Sequence, residues 1–225
     1  QPSTLKDEQV FEEFKNLKPD LCVVAAYGKI LPTRYLDVPK HGFINVHPSL
    51  LPKYRGPSPV QTAILNGDKE TGTSIMVVDE EVDHGPILAQ KTYNLQPTTY
   101  NIQASKELFE LGAKLLIEAL PKFISGELKP KEQDHSQVTF TKMFKRGDGR
   151  IHWKEPTEKI YNQIRALNPE PGTWTMWKNK IINIKKAELR DGKILIQTIQ
   201  MEGKREMTLE EFVHGRPNFD VSELN

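Results

Sequence analysis

The stretch Asn45-Val46-His47-Pro48-Ser49-Leu50-Leu51-Pro52-Lys53-Tyr54-Arg55-Gly56 decides how this chain is interpreted. Asn45 and His47 stand two residues apart at a predicted strand end, and alternate residues of a strand point to the same face of a sheet. An amide and an imidazole on one face can reach one substrate atom, where they would hold and protonate a developing oxyanion. The two prolines and the glycine of this stretch predict a rigid turn that fixes both side chains.

A third group is expected to set the charge state of the imidazole. The best candidate lies downstream in Asp79-Glu80-Glu81-Val82-Asp83-His84-Gly85-Pro86. Taken alone, Asp83 would most often be a turn former. Beside Asn45 and His47 it predicts a carboxylate that assists proton transfer.

The first part of the chain alternates short apolar runs with helical stretches, which is typical of an α/β sheet. The run from Leu21 to Ala26 is nearly all apolar and predicts a strand buried on both faces. By periodicity and turn signals, further strands are predicted at 43–47, 73–78 and 86–95, and helices at 59–66 and 100–120.

Composition changes after the last of these helices. A polar segment with a breaker pair leads into a region rich in β-branched residues, with strands predicted at 173–177, 180–189 and 193–200 and helices at 156–167 and 209–213. Several short antiparallel strands with one or two helices predict a small barrel of oligonucleotide-binding type. The expected domains are 1–125, a linker at 126–138, and 139–225.

Composition argues against a disordered, a membrane-spanning and a secreted protein. The 225 residues are 37% hydrophobic with a net charge of +1, as in ordinary globular proteins, and the longest apolar run, Leu21 to Tyr27, falls far short of the ~20 residues that cross a membrane. The single cysteine, Cys22, favours a reducing compartment, so a cytoplasmic location is expected. The histidines lack metal-ligand spacing, and no glycine-rich turn follows a strand, so neither a metal nor a dinucleotide is expected.

Three motifs of this sequence together carry a specific family resemblance. Asn45-x-His47, Ser49-Leu50-Leu51-Pro52-x-x-x-Gly56 and Asp83-x-Gly85-Pro86 resemble the signature of folate-dependent formyltransferases. Within that family, the members that formylate methionyl-tRNA are the most similar, by the motifs Tyr27-Gly28-Lys29-Ile30-Leu31-Pro32, Lys53-Tyr54-Arg55-Gly56, Ile64-Leu65-Asn66-Gly67-Asp68 and Arg165-Ala166-Leu167-Asn168-Pro169-x-Pro171-Gly172. The resemblance implies a partial Rossmann-like formyltransferase sheet followed by the small barrel.

The resemblance also implies a reaction. A formyl group would pass from N10-formyltetrahydrofolate to the α-amine of methionyl-initiator tRNA, with Asn45, His47 and Asp83 as the catalytic residues. Folate would be held largely by main-chain groups and by the loop at the reaction centre, and Leu51–Pro52 is a candidate for a cis peptide bond. The residues expected to bind folate are Lys29, Ile30, Leu31, Ser49, Leu50, Leu51, Pro52, Val78 and Val82.

Positive charge is concentrated in residues 141 to 187, which hold eleven Lys or Arg and four acids. A polyanion would be attracted to such a segment, although a lysine-rich solvated surface has the same composition. With the resemblance, we expect contacts to tRNA phosphates. The residues expected to make them are Lys142, Lys145, Arg146, Arg150, Lys178, Lys180, Lys185 and Lys186.

This sequence differs from members of the family at its N-terminus. Members of the family begin with about eighty further residues that hold the first strands of a nucleotide-binding type of sheet. We therefore expect this chain to be part of a longer protein or a truncated product, and we expect it to be a monomer. Other interpretations remain open on the same catalytic residues: a sugar-nucleotide amine as the acceptor, hydrolysis of formyl-folate by water, or an inactive remnant that binds RNA or folate.

Overall fold

The computed structural model describes residues 2–216, 219 and 224. The ends of the predicted first and last domains, residues 1, 217, 218, 220–223 and 225, lie outside the described residues. The helices and strands are α1 (Glu8–Asn16), β1 (Cys22–Val24), α2 (Thr33–Leu36), β2 (Phe43–His47), α3 (Pro59–Leu65), β3 (Glu70–Val77), β4 (Ile87–Asn94), α4 (Asn101–Ile124), α5 (Thr157–Leu167), β5 (Thr173–Trp177), β6 (Lys180–Arg190), β7 (Lys193–Met201), β8 (Met207–Thr208) and α6 (Leu209–His214).

Two compact units make up the chain, and each draws on separate stretches of sequence. The first contains Gln1–Pro59, Glu70–Asn94 and Lys106–Lys142, and the second contains Val60–Lys69, Leu95–Ser105 and Met143–Asn225. The division expected from the sequence, two domains at 1–125 and 139–225 joined by a linker at 126–138, stays a prediction.

The first unit holds a four-stranded sheet in the order β1-β2-β3-β4. β1 runs parallel to β2, and the other neighbours are antiparallel. Ile44 and Val46 of β2 pack on one face in a cluster that α4 also joins. Gly112 brings α4 close, because a Cβ there would lie 2.5 Å from Cγ1 of Val46. By strand alternation, Asn45 and His47 therefore face the other side of the sheet.

The prediction that the first strand is buried on both faces is wrong. β1 is only three residues long and is an edge strand among the described residues. Val23 at its centre is 47% exposed. Cys22 and Val24 point to one face of the sheet, where they pack with α1 and Phe43, whereas Val23 points to the other face and is left open.

The second unit is built on an antiparallel meander in the order β5-β6-β7-β8. Buried and less buried residues alternate along its strands, and α5 and α6 cover the buried face. Asp191 and Gly192 both have positive φ between β6 and β7, as a two-residue hairpin turn requires. The predicted class, an α/β sheet followed by a separate small antiparallel β unit, is confirmed. Within the part of the chain that the structure describes, no helix combines the length and apolarity needed to cross a membrane.

Candidate active site

Asn45 and His47 lie at the carboxyl end of β2, at the centre of the site. His47 is 4% exposed and Asn45 is half-buried. Asn45 pairs with Met76 and His47 pairs with Ser74 across the antiparallel ladder to β3, which fixes the register of both. The alternation expected from the sequence is thus present.

The loop between β3 and β4 brings Asp83 to this end of the sheet. Asp83 adopts a left-handed conformation with φ of +49°. Gly85 follows, and only glycine fits there, because a Cβ would lie 2.1 Å from the carbonyl oxygen of Val77. The loop is therefore packed tightly against the end of β3.

The three predicted catalytic residues come together around one oxygen atom. Nδ2 of Asn45 donates to Oδ1 of Asp83 at 3.2 Å. Nδ1 of His47 lies 3.5 Å from the same oxygen, and the side chains of His47 and Asp83 are 5% and 14% exposed. Water is largely kept from this pair, so its electrostatic interaction is weakly screened.

Two contacts that the sequence did not point to complete the arrangement. The backbone N–H of Gly56 donates to Oδ2 of Asp83 at 2.8 Å. Nε2 of His47 lies 2.9 Å from the carbonyl oxygen of Tyr54. A carbonyl only accepts, so Nε2 carries the proton and Nδ1 is the ring nitrogen that faces the carboxylate. Gly56 belonged to the signature, but backbone groups leave no side-chain pattern that would show their part.

A buried network holds the loop after β2. Ser74 is fully buried, accepts from the backbone N–H of Leu51 at 3.1 Å and donates to the carbonyl oxygen of Ser49 at 2.6 Å. Nε2 of Gln90 donates to the carbonyl oxygen of Leu51 and to Oγ of Ser74, both at 2.8 Å. The Leu51–Pro52 peptide is cis, as predicted. Ser74 and Gln90 were missed because they come from other strands.

The loop residues expected to bind folate differ in exposure. The side chains of Ser49 and Leu51 are buried, whereas Leu50 and Pro52 are half-buried. Oγ of Ser49 donates to the carbonyl oxygen of Lys53 at 2.6 Å. The outward groups of this loop are therefore those of Leu50 and Pro52.

The remaining residues expected to bind folate lie after β1 and β3. Leu31 and Val78 pack against the same apolar cluster, built on Leu5, Tyr35 and Phe43. Ile30 and Val82 are 77% and 51% exposed. Nζ of Lys29 donates to the carbonyl oxygens of Pro2 and Ser3, at 2.7 and 3.0 Å. Two apolar side chains are thus open to an apolar ligand, while the ammonium of Lys29 is bound locally.

The thiol of Cys22 is half-buried at the start of β1. Burial raises the pKa of the Cys22 thiol, which favours the neutral form over the nucleophilic thiolate. The described residues contain no group of three or more His, Cys, Asp or Glu that could hold a metal ion.

The basic residues expected to contact tRNA fall into separate groups. Arg146 and Arg150 flank the indole of Trp174, each with the guanidinium carbon 5.6 Å from the ring centre. Lys185 pairs with Glu206 at 3.5 Å. Lys178 and Lys180 lie at the turn between β5 and β6, Lys145 and Lys186 are exposed, and Lys142 belongs to the first unit.

Family models match both parts of the chain. The model described as formyl transferase covers residues 1–120, and the model described as formyl transferase, C-terminal domain, covers residues 143–193. The first match alone covers more than half of the chain.

Curated relatives agree with this assignment. The chain is 49% identical to a methionyl-tRNA formyltransferase of Chloroflexus aurantiacus, over 83% of this chain and 60% of that protein. It is 40% identical to the methionyl-tRNA formyltransferase of Roseiflexus castenholzii, over 95% of this chain and 76% of that protein. The chain thus spans about three fifths of the length of the Chloroflexus protein.

Solved structures share the fold. A methionyl-tRNA formyltransferase from Clostridium thermocellum has a TM-score of 0.69 at 26% identity, with 88% of this chain and 84% of that one covered. HypX from Aquifex aeolicus in complex with tetrahydrofolic acid has a TM-score of 0.74 at 20% identity, over 96% of this chain and 44% of that one, which shows the fold alone. The resemblance found in the sequence is confirmed: this chain belongs to the formyl transferase family.

Proposed function

We propose that this chain transfers the formyl group of N10-formyltetrahydrofolate to the α-amine of methionyl-initiator tRNA. The observation that carries the proposal is the convergence of Asn45 and His47 on Oδ1 of Asp83. Relatives named methionyl-tRNA formyltransferase support the choice of acceptor. A cytoplasmic location, which the single cysteine Cys22 favours, is part of this proposal.

Attack of the amine on the formyl carbon creates a tetrahedral centre whose former carbonyl oxygen becomes negative. Asn45 supplies a side-chain N–H for that oxygen, because an amide has two N–H donors and Asp83 receives one of them. A preorganised donor of this kind lowers the barrier by about 3 kcal/mol in other acyl-transfer sites. Asn45 is thus placed to recognise the charge only as it forms.

The role proposed for His47 depends on the protonation state of its ring. Its Nε2 proton faces the carbonyl of Tyr54, so the neutral ring offers a lone pair at Nδ1 and only the protonated ring offers an N–H there. The neutral form accepts a proton from the attacking amine, and the protonated form donates to the oxyanion or to N10 as the C–N bond to folate breaks. Asp83, 3.5 Å away, stabilises the positive charge between these two events.

Binding of the folate is proposed on the same edge of the sheet. The exposed Ile30 and Val82 are suited to cover the apolar face of a pterin ring. Main-chain groups of Lys29 to Leu31, Val78 to Val82 and the loop Ser49 to Pro52 would then supply hydrogen bonds. No metal enters this reaction scheme, because both proton transfers are assigned to His47.

The acceptor tRNA is assigned to the basic residues of the second unit, together with Lys142. Arg146 and Arg150 around Trp174 form the best-defined group, since two guanidiniums beside one ring can contact neighbouring phosphates. Lys185 is the weakest member because it already pairs with Glu206.

The test is transfer of an isotope-labelled formyl group by the 225-residue chain. Three acceptors are offered in parallel: methionyl-initiator tRNA, an amino-sugar nucleotide and water alone, the last read as released formate. Labelled formylmethionine recovered from the tRNA is the expected result. Labelled sugar, or formate release with no product on the tRNA, would replace the acceptor, and folate or tRNA binding without any transfer would contradict enzymatic activity of this chain.

A further inference from the structure

Two polar side chains are buried beside the Asp83 loop and belong to no step of the reaction described above. Arg55 is 4% exposed and Gln133 is 5% exposed. Both residue types are mostly found at protein surfaces. Gln133 also lies in the segment 126–138 that the sequence predicts to be a linker, where a buried amide is not expected. A local role must therefore explain their burial.

The amide of Gln133 holds the backbone on either side of the Asp83 turn. Its Nε2 donates to the carbonyl oxygen of Asp83 at 2.9 Å and to that of Gly85 at 2.7 Å. These two carbonyls flank the sharp turn that aims the carboxylate at β2. One side chain thus fixes both ends of a short segment that carries the carboxylate.

Arg55 sets the orientation of that amide. Its Nε and Nη2 donate to Oε1 of Gln133 at 3.2 and 2.8 Å. A guanidinium has donors only, so the oxygen of the amide must face Arg55 and the nitrogen must face the two carbonyls. The backbone of Arg55 is fixed in turn by bonds to Thr139 and Thr141, at 2.9 and 2.8 Å.

A second support lies on the other side of the loop. Nη2 of Arg55 also lies 2.9 Å from Nδ1 of His135, which must therefore be the unprotonated nitrogen of that ring. The ring of His135 stacks on that of His84, with the centres 4.3 Å apart and the planes 11° apart. His84 is held by Asp79 at 2.6 Å. The loop is therefore held at both ends of its turn and along one face.

Asp83 needs such support because its conformation is unfavourable by itself. Its φ of +49° lies in the left-handed region, which aspartate tolerates better than most residues with a Cβ but occupies less often than the right-handed or extended regions. Without bonds to its backbone, the segment would relax to other conformations and carry the carboxylate away from His47. A shift of about 1 Å in a catalytic group can cost about 100-fold in rate.

We propose that Gln133, oriented by Arg55, is a positioning residue for the Asp83 carboxylate in formyl transfer. The proposal rests on the proposed function, because it assigns Gln133 an effect through Asp83 alone. Gln133 is given no contact with folate or tRNA, so its loss should lower kcat and leave KM for both substrates nearly unchanged.

The test variant is Gln133→Glu. A carboxylate keeps the acceptor that Arg55 requires, so the fold is retained, but it has no N–H for the carbonyls of Asp83 and Gly85 and repels them. Gln137→Glu is the matched control, because Gln137 is exposed in the same segment and its amide bonds to Asp134. We expect kcat to fall about 10- to 100-fold for Gln133→Glu and to stay within about 2-fold for the control.

Two further measurements separate positioning from a general structural effect. In the Asp83→Asn background, Gln133→Glu should change kcat by less than about 2-fold, since both act through one carboxylate. The ¹⁵N shifts of the His47 ring should move in Gln133→Glu and not in Gln137→Glu, and this readout needs no turnover. Additive losses in kcat, a rise in KM with kcat unchanged, or a His47 ring with wild-type shifts would each overturn the proposal. Absence of formyl transfer by the wild-type chain would contradict the proposed function alone, and the ring shifts would still decide the positioning.

Discussion

The backbone N–H of Gly56 donates to Oδ2 of Asp83 at 2.8 Å, so the carboxylate is anchored by the loop that follows the catalytic strand. Its other oxygen, Oδ1, is thereby turned toward Asn45 and His47. The hydrogen bond from a main-chain N–H thus holds Oδ2 in place, and Oδ1 is the oxygen that interacts with the catalytic side chains.

Replacement of Asp83 by asparagine should lower kcat by about 100-fold or more and, with the fold retained, lower the free energy of unfolding by about 1 to 3 kcal/mol. The substitution keeps the size of the side chain, but removes the charge and points an N–H₂ group at donors from Asn45 or Gly56. Turnover is measured with the labelled formyl assay, and the urea midpoint checks the fold. Asp191→Asn is the control, because Asp191 lies in the hairpin turn with φ of +50°, where asparagine is equally suited. Wild-type turnover in Asp83→Asn would remove this carboxylate from the mechanism.

The substitution Gly56→Ala should destabilise the chain and displace Asp83. Gly56 has φ of +107°, and its Cβ would lie 2.9 Å from Oγ1 and 3.1 Å from the carbonyl oxygen of Thr141. We expect the free energy of unfolding to fall by about 2 to 3 kcal/mol, from strain and overpacking together.

The comparison that isolates the close approach is Gly126→Ala. Gly126 also has positive φ, at +79°, but a Cβ added there would meet nothing within 4 Å. Its cost should be about 1 kcal/mol, from the backbone conformation alone. Equal losses in the two variants, measured by urea unfolding, would show that Thr141 moves aside without cost.

Loss of the Ser74 hydroxyl should loosen the loop Ser49 to Pro52. Ser74→Ala leaves the buried N–H of Leu51 without its acceptor and removes the donor to the carbonyl of Ser49, at a cost of about 1 to 3 kcal/mol in unfolding free energy. If this loop lines the folate site, KM for N10-formyltetrahydrofolate should also rise. Ser125→Ala is the control, since that hydroxyl is exposed and bonds to Lys122 at a helix end. An unchanged KM with reduced stability would separate the loop from folate binding.

Removal of the Arg150 charge should weaken tRNA binding and reduce its dependence on salt. If Arg150 contacts one phosphate, the slope of log affinity against log salt should become shallower by about 0.7 to 0.9 in Arg150→Gln. Filter binding over a range of salt concentrations gives the slope directly. Lys159→Gln serves for comparison, because Lys159 is exposed in the same unit and pairs with Glu155 at 2.9 Å. The same slope in both variants and the wild type would leave Arg150 outside the tRNA interface.

Local pattern accounted for most of the secondary structure. The alternation in Thr173–Trp177 and the helical period in Asn101–Ile124 are visible in the sequence, because burial on one face repeats every two or 3.6 residues. The apolar run at Leu21 led to a wrong prediction. Apolar composition favours burial of a strand but does not show whether other elements of the fold cover both of its faces. Val23, exposed at the edge of the sheet, is the result.

The sequence by itself determined which chemical groups this protein can use: Asn45 and His47 on one face of a strand, with Asp83 on a glycine-containing turn. Only the tertiary structure decided how they are held. Gly56 and Tyr54 contribute main-chain atoms, which have no residue-specific signature, and Gln133 reaches Asp83 from 50 positions along the chain. Contacts between distant residues depend on the packing of the whole unit, and a side-chain pattern along the chain carries no record of them.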